Sequence, residues 1–344
     1  MAIYSSLHQL ELLKIPEVQR IFLEVMQDIV DNAMLQEMIA AIEANDAERL
    51  YRATGFSSAA LGPILDSIEQ IYQDAAETTV AGWPKRIRTP EGLVIFRFDM
   101  RNPRAEQDLK TISSKLVAQI TEDVRQNVRN VLQQGMIDGA NPRTTALNII
   151  GRVDPVTKKR IGGVLGLTEN QGNWVRSTQR YLETLDPRYF NLKLRDKRFD
   201  SLVQKAIDSG KPLSQTDIER LLTSYKNRAL KYRGDSIART ETIQTLNRGE
   251  YMANLQAVEQ GLISRDAITK EWDDTGDRKV RSTHRSLAAK YGKEKGIGLE
   301  EPFISTSGAR LLYPGDSSLG APAEEIVNCR CRVHIRVDWL AGVD

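Results

Sequence analysis

Ile326-Val327-Asn328-Cys329-Arg330-Cys331-Arg332-Val333-His334-Ile335-Arg336-Val337 alternates along its length. Cys329, Cys331, Val333, Ile335 and Val337 fall on one parity, and Arg330, Arg332, His334 and Arg336 on the other. A period of two marks a half-buried strand. The pattern predicts one face packed on a core and a row of cations turned to solvent or to an anionic partner. Both cysteines then point inward, where a free thiol behaves as a small hydrophobe.

Upstream of this strand the chain reads Trp272-Asp273-Asp274-Thr275-Gly276-Asp277-Arg278-Lys279-Val280-Arg281-Ser282-Thr283-His284. Asp277, Arg281 and His284 follow i, i+4, i+7 spacing, which on a helix lines one face. Such a face is either a polar site or a network fixing the domain to the cysteine strand. Tyr313-Pro314-Gly315-Asp316 stands between, and Ile237-Ala238-Arg239-Thr240-Glu241-Thr242 precedes it all on a helix. Arg239 and Glu241, two apart, cannot face each other. Each is expected to reach another element, in a buried structural ion pair rather than in catalysis.

Zinc is the sharpest chemical alternative. Cys329 and Cys331 could supply thiolates, His284 a nitrogen, and Asp277 or Asp316 a fourth ligand. His334 has the wrong parity unless the strand bulges. A Cys-x-Cys pair without a second pair is a weak zinc signal, so core cysteines are the default and no metal or cofactor is assigned. A nucleophilic Cys needs an electropositive, partly exposed setting, and Arg330 and Arg332 point the other way. No catalytic residue is assigned.

The 344 residues suffice for two or three domains, and 40% hydrophobic with 27% charged residues is ordinary for a chain that buries a core. The 2 Cys imply no disulfide framework and suit a reducing cytosol. No apolar run is long enough to span a membrane, and Met1-Ala2-Ile3-Tyr4 does not open a secretory signal. The net charge of +2 hides an asymmetry. Residues 1–100 carry 8 basic and 15 acidic side chains, residues 101–260 carry 27 and 18, and residues 261–344 carry 13 of each.

Three regions follow: 1–100, acidic and helical, ending in a short hairpin; 101–260, basic, with long helices; and 261–344, α+β. The expected fold class is mainly α N-terminal and middle regions with a small α+β C-terminal domain. In the first region Leu10, Leu13, Val18, Ile21, Phe22, Val25, Met26 and Ile29 recur at helical steps, with a break expected at Pro16. Pro90-Glu91-Gly92 reads as a turn between β-rich flanks. The longest helix is expected over 105–138, and residues 151–166 read as a loop or a small hairpin without P-loop spacing. Asn45 and Asp46 read as a turn and a cap, Thr168 and Ser214 as further helix caps, and Gly234 as an interruption. Lys226, Arg228, Lys231 and Arg233 make the most basic surface, expected to meet DNA phosphates or an anionic partner without sequence preference. The bland alternative is solvated helix charge.

Taken in order, the Arg-Thr-Glu, Trp–Asp-Arg–His, Tyr-Pro-Gly-Asp and Asn-Cys-Arg-Cys blocks resemble the C-terminal domain of the phage Mu F-like minor head proteins, also called head morphogenesis proteins. The resemblance covers roughly the last third of the chain. It makes Arg239, Glu241, Trp272, Asp277, Arg281, His284, Tyr313, Pro314, Asn328, Cys329 and Cys331 structural motif residues, and favours the network over a polar site. It implies a minor structural protein of a tailed-phage head, acting in capsid assembly near the portal. Implied partners are portal, capsid or scaffold proteins and packaged DNA, with several copies per virion, no membrane partner and no enzymatic role. Its implied location is the virion, at the capsid interior or portal vertex, and the host cytoplasm during assembly.

A second reading is enzymatic, either metal-dependent or ADP-ribosyltransferase-like. Phe303-Ile304-Ser305-Thr306-Ser307 resembles the Ser-Thr-Ser strand of those transferases, with Arg278 or Arg281 as the cofactor-holding arginine. Their Glu-x-Glu loop is missing, because Glu324 and Glu325 are adjacent.

Overall fold

The computed structural model describes residues 2–90, 92–339 and 341; Met1 and Glu91, the centre of the expected turn, lie outside the described residues. The chain is mainly α with a small α+β part at its C-terminal end. Helices α1 (Ala2–Asp31), α2 (Leu35–Glu43), α3 (Ala47–Ala53) and α4 (Gly62–Ala81) lead to a hairpin of β1 (Ile87–Thr89) and β2 (Gly92–Val94). Helices α5 (Pro103–Ile137) and α6 (Pro142–Ile150) precede a second small hairpin, β3 (Arg152–Val153) and β4 (Arg160–Ile161). Helices α7 (Glu169–Glu183), α8 (Asp200–Ser209) and α9 (Gln215–Glu259) follow. The end of the chain holds β5 (Ile268–Asp273), α10 (Ser282–Tyr291), β6 (Ile297–Gly298), β7 (Phe303–Ile304), β8 (Arg310–Leu311), α11 (Ala323–Ile326) and β9 (Arg332–Val337).

The caps form as read. Asp46 accepts from Arg49 N, Thr168 and Gln171 close a capping box, and Ser214 accepts from Asp217 N. Two expected breaks do not occur. Helix α1 runs straight through Pro16. A proline inside a helix leaves the carbonyl four residues back without its donor, but here that residue, Leu12, is 62% exposed, so water can serve it. Helix α9 likewise continues through Gly234, its turns on either side fixed by buried residues such as Ala229 and Ala238. At Gly249 the absence of a side chain matters, since a β-carbon there would stand 2.6 Å from the Tyr72 carbonyl on α4.

The chain groups into two compact units that cut across the boundaries expected at 100 and 260. One comprises Met1–Gln19, Ile64–Ser113 and Asp235–Asp344; the other comprises Arg20–Pro63 and Ser114–Gly234. The reason is that α1, α5 and α9 each contribute residues to both units. Charge sign and a turn at residue 100 do not report such long helices. The second unit is helical apart from β3–β4, with clusters around Tyr189, Val203 and Leu221 and around Leu167, Val175 and Tyr225.

The first unit carries the α+β part. A three-stranded antiparallel sheet has the order β6-β5-β9, with Trp272 opposite Val333 and Glu271 opposite His334. Its core joins Trp272, Leu287, Phe303, Leu311, Tyr313, Cys329, Cys331 and Val333 to Tyr251 and Leu255 of α9. The alternating stretch is only half strand. Residues Ala323–Ile326 are helical, Asn328 sits at φ 56°, and pairing starts at Arg332. A left-handed residue cannot continue a strand. The row of cations is also corrected: Arg332 is 5% exposed and reaches Glu11 and the Leu7 carbonyl, Arg336 pairs with Glu271, and Arg330 with Asp277. Among the described residues no helix is long and apolar enough to cross a membrane.

Candidate functional site

The motif blocks meet on one short segment, residues 325–331. Loop and helix start converge on it from one side. Asp277, in the loop before α10, takes a bidentate pair from Arg330, which holds its carboxyl down at about 2 with help from the Lys279 N–H. Arg281, the residue before the first turn of α10, donates to the Val327 carbonyl. His284, 1% exposed, faces both cysteines. The three residues therefore form the network that fixes the cysteine segment. They do not do so as one helical face, because α10 begins only at Ser282.

Helix α9 supplies the other side through Ser236, Thr240 and Asn247. Thr240 Oγ1 accepts from the Asn328 N–H at 2.9 Å, and Asn328 Nδ2 donates to Ser236 Oγ at 2.8 Å. Buried Asn247 donates to the carbonyls of Pro314 and Cys331 and accepts from the Val333 N–H. One side chain thus joins the Tyr-Pro-Gly-Asp block to the cysteine block. That block is a turn, with Asp316 N bonded to the Tyr313 carbonyl and Gly315 at φ 88° after Pro314. The signal missed in the sequence is the stripe at 236, 240 and 247, steps of four and seven on one helix face.

Arg239 and Glu241 are both partly buried, and neither makes an ion pair among the described residues. The expected buried pair is instead made by Arg248 of the same helix with Asp108 of α5. Burial raises the Glu241 carboxyl to about 7 against the pull of Arg248.

The chemistry concentrates at His284. Its Nδ1 lies 3.5 Å from Cys329 Sγ and 3.4 Å from Cys331 Sγ. The three ligand atoms all fall within 4.8 Å of one another, and all three residues are buried. The Cys331 N–H points at Cys329 Sγ at 3.4 Å. The proton shared between the thiols holds Cys329 well below the usual thiol range, against burial and with His284 assisting, and Cys331 correspondingly above it. On the other side of the ring, Nε2 stands 2.9 Å from Glu325 Oε2, in a bent approach. Thr283 and Ser307 hydroxyls donate to Glu325. Burial pushes that carboxyl up, but the Ser307 and Thr283 bonds and His284 outweigh it and leave it below its ordinary value. Trp272 packs edge-on against the His284 ring, 5.1 Å between centroids. Its indole Nε1–H meets no well-aligned acceptor among the described residues but is close enough to lower the Cys331 thiol.

This arrangement can hold a soft metal ion or an imidazole–thiolate pair. The expected fourth ligands are not part of it. Asp277 is held by Arg330, and Asp316 accepts the N–H groups of Leu312 and Ser318. Glu325 was not anticipated as a partner of His284. The Ser-Thr-Ser stretch contributes Ser305 and Ser307 to the same carboxylate, and only Phe303 and Ile304 are strand.

The basic surface expected on α9 divides in two. Lys226 and Arg233 are buried, Arg233 donating to Asp123 and the Gly166 carbonyl. Arg228 and Lys231 are exposed, and Arg228 pairs with buried Asp196. Positions seven apart repeat on a helix, so 226 and 233 share the inner side. No protein-family model, curated protein or solved structure matches this chain.

Proposed function

We propose that this chain is a minor structural protein of a tailed-phage head, acting in capsid assembly near the portal. The observation that supports the reading most is that the motif blocks behind the resemblance are spent on holding one segment in place. Thr240, Asp277, Arg281, His284 and, through Asn247, Pro314 all bond residues 325–331 or their immediate neighbours. Blocks used this way make a rigid assembly module, with surface left over for docking. Portal, capsid or scaffold proteins are the partners in this reading, and packaged DNA is met through phosphates. Of the four α9 cations assigned to that contact, Lys231 is the exposed one that makes no ion pair among the described residues.

Mass spectrometry of purified virions and portal-containing procapsids tests the proposal. Low, fixed copy number relative to portal is the expected result. Absence from both particles, with the chain soluble in infected cells, overturns it.

A further inference from the structure

Two cysteine sulfurs lie almost equally far from one imidazole nitrogen. A neutral imidazole offers one lone pair at that nitrogen, enough for a single S–H donor. Two sulfurs sharing it match a common electrophile better than a common hydrogen bond. The distances agree: with zinc bonds of about 2.3 Å to sulfur and about 2.0–2.1 Å to nitrogen, tetrahedral ligands place N and S roughly 3.6 Å apart. The chain shows 3.5 and 3.4 Å.

We propose that His284 Nδ1, Cys329 Sγ and Cys331 Sγ form a Zn²⁺ site, with a fourth position open to water or a small anion. Two thiolates and an imidazole are the donors that suit zinc among the common divalent ions. The surroundings are those of a ligating histidine. Its far nitrogen rests against the Glu325 carboxylate, which Thr283 and Ser307 hold in turn, and such an outer carboxylate fixes the ring and makes it a better donor. The Cys331 N–H points at one sulfur, and the unsatisfied Trp272 indole N–H stands near the other. Both are suited to sulfur carrying negative charge. Among the described residues three ligands are supplied, since neither Asp277 nor Asp316 joins them. Loading releases the thiol protons to solvent and leaves the thiols otherwise unchanged.

The test uses the full-length chain, purified under thiol reductant from zinc-supplemented cells. Native mass spectrometry should show one zinc per chain. After replacement by Co²⁺, a sulfur-to-cobalt charge-transfer band and intense tetrahedral visible bands should appear. Cys329→Ser and Cys331→Ser should lose both signals. Glu325→Gln should keep one zinc at saturation while weakening binding 10- to 100-fold in a chelator competition. Asp277→Asn, which removes the Arg330 pair but no ligand, should still bind one zinc at saturation. Because a cysteine variant can fail by misfolding, the wild-type readings decide. A folded, reduced chain with two titratable thiols that retains no zinc and gives no cobalt band overturns the site. Metal content is read on the purified chain, so it stands or falls apart from virion incorporation.

Discussion

The Asn328 N–H donates to Thr240 Oγ1 at 2.9 Å, across 88 residues of chain. The bond holds a left-handed residue, φ 56°, directly before the cysteines. Asparagine tolerates that conformation better than alanine does, and its side chain adds a bond to Ser236. Asn328→Ala should cost about 2 kcal/mol, one part strain and one part hydrogen bond. Asn328→Gly keeps the conformation and should cost about half as much. Denaturant unfolding of both checks this; equal losses would remove strain from the account.

Arg248 and Asp108 form a buried pair, with side chains 6% and 16% exposed. The Tyr72 hydroxyl also donates to Asp108, at 3.2 Å. Removing one member strands the other, so Arg248→Met should destabilise by about 3–5 kcal/mol. The double variant Arg248→Met/Asp108→Leu should recover much of that loss, short of what the Tyr72 hydroxyl loses in its acceptor. Unfolding free energies around the double-mutant cycle give the coupling. A double variant no more stable than Arg248→Met would contradict the pairing.

Much of this fold was legible from local rules. The caps at Asp46, Thr168 and Ser214 and the hairpin around residue 90 need only neighbours in sequence. The failures share a cause, which is tertiary compensation. Pro16 is absorbed because Leu12 faces water, and Gly234 because helix packing on both sides outweighs one poor helix former. The site was half legible. Alternation placed Cys329 and Cys331 inward correctly, although only residues from Arg332 are strand. Arg332 fooled the alternation because its partner, Glu11, lies more than 300 residues away. Glu325 and Asn247 were not legible, because nothing local distinguishes a buried carboxylate or amide from a solvated one until its partners are known.

Glu250 is 5% exposed and lines a cavity of about 490 Å³ with His334, Arg336 and Asp338. Burial pushes its carboxyl from 4.5 up to about 8, with Arg332 and the Ile335 N–H opposing. Between those values the folded chain holds a proton that the unfolded chain has lost. The group's contribution is therefore complete below pH 4.5 and is lost as pH rises through 8. Glu250→Gln mimics the protonated form and removes the titration. It should gain on wild type between pH 5 and pH 8.5, by on the order of 3 kcal/mol. Unfolding midpoints at the two pH values decide; a constant difference would mean the carboxyl ionises normally.

The α9 cations assigned to the anionic contact should separate by depth. Arg233→Ala strands Asp123 and the Gly166 carbonyl and should cost about 3 kcal/mol. Lys231→Glu, on the exposed side, should change unfolding by under about 0.5 kcal/mol. Lys226 goes the other way. It is 8% exposed and makes no ion pair among the described residues, and burial, with Arg152 nearby, lowers its amine from 10.5 to about 8. Near pH 7 the folded chain thus carries a desolvated charge, and Lys226→Met should stabilise it by roughly 1–2 kcal/mol. Between pH 8 and 10.5 the unfolded wild type binds the extra proton, so wild-type stability rises with pH there and the methionine advantage shrinks. Paired melts of the two chains at pH 7 and pH 9.5 check the sign. A Lys226→Met chain that is less stable at pH 7 would mean the amine has a partner strong enough to offset its burial.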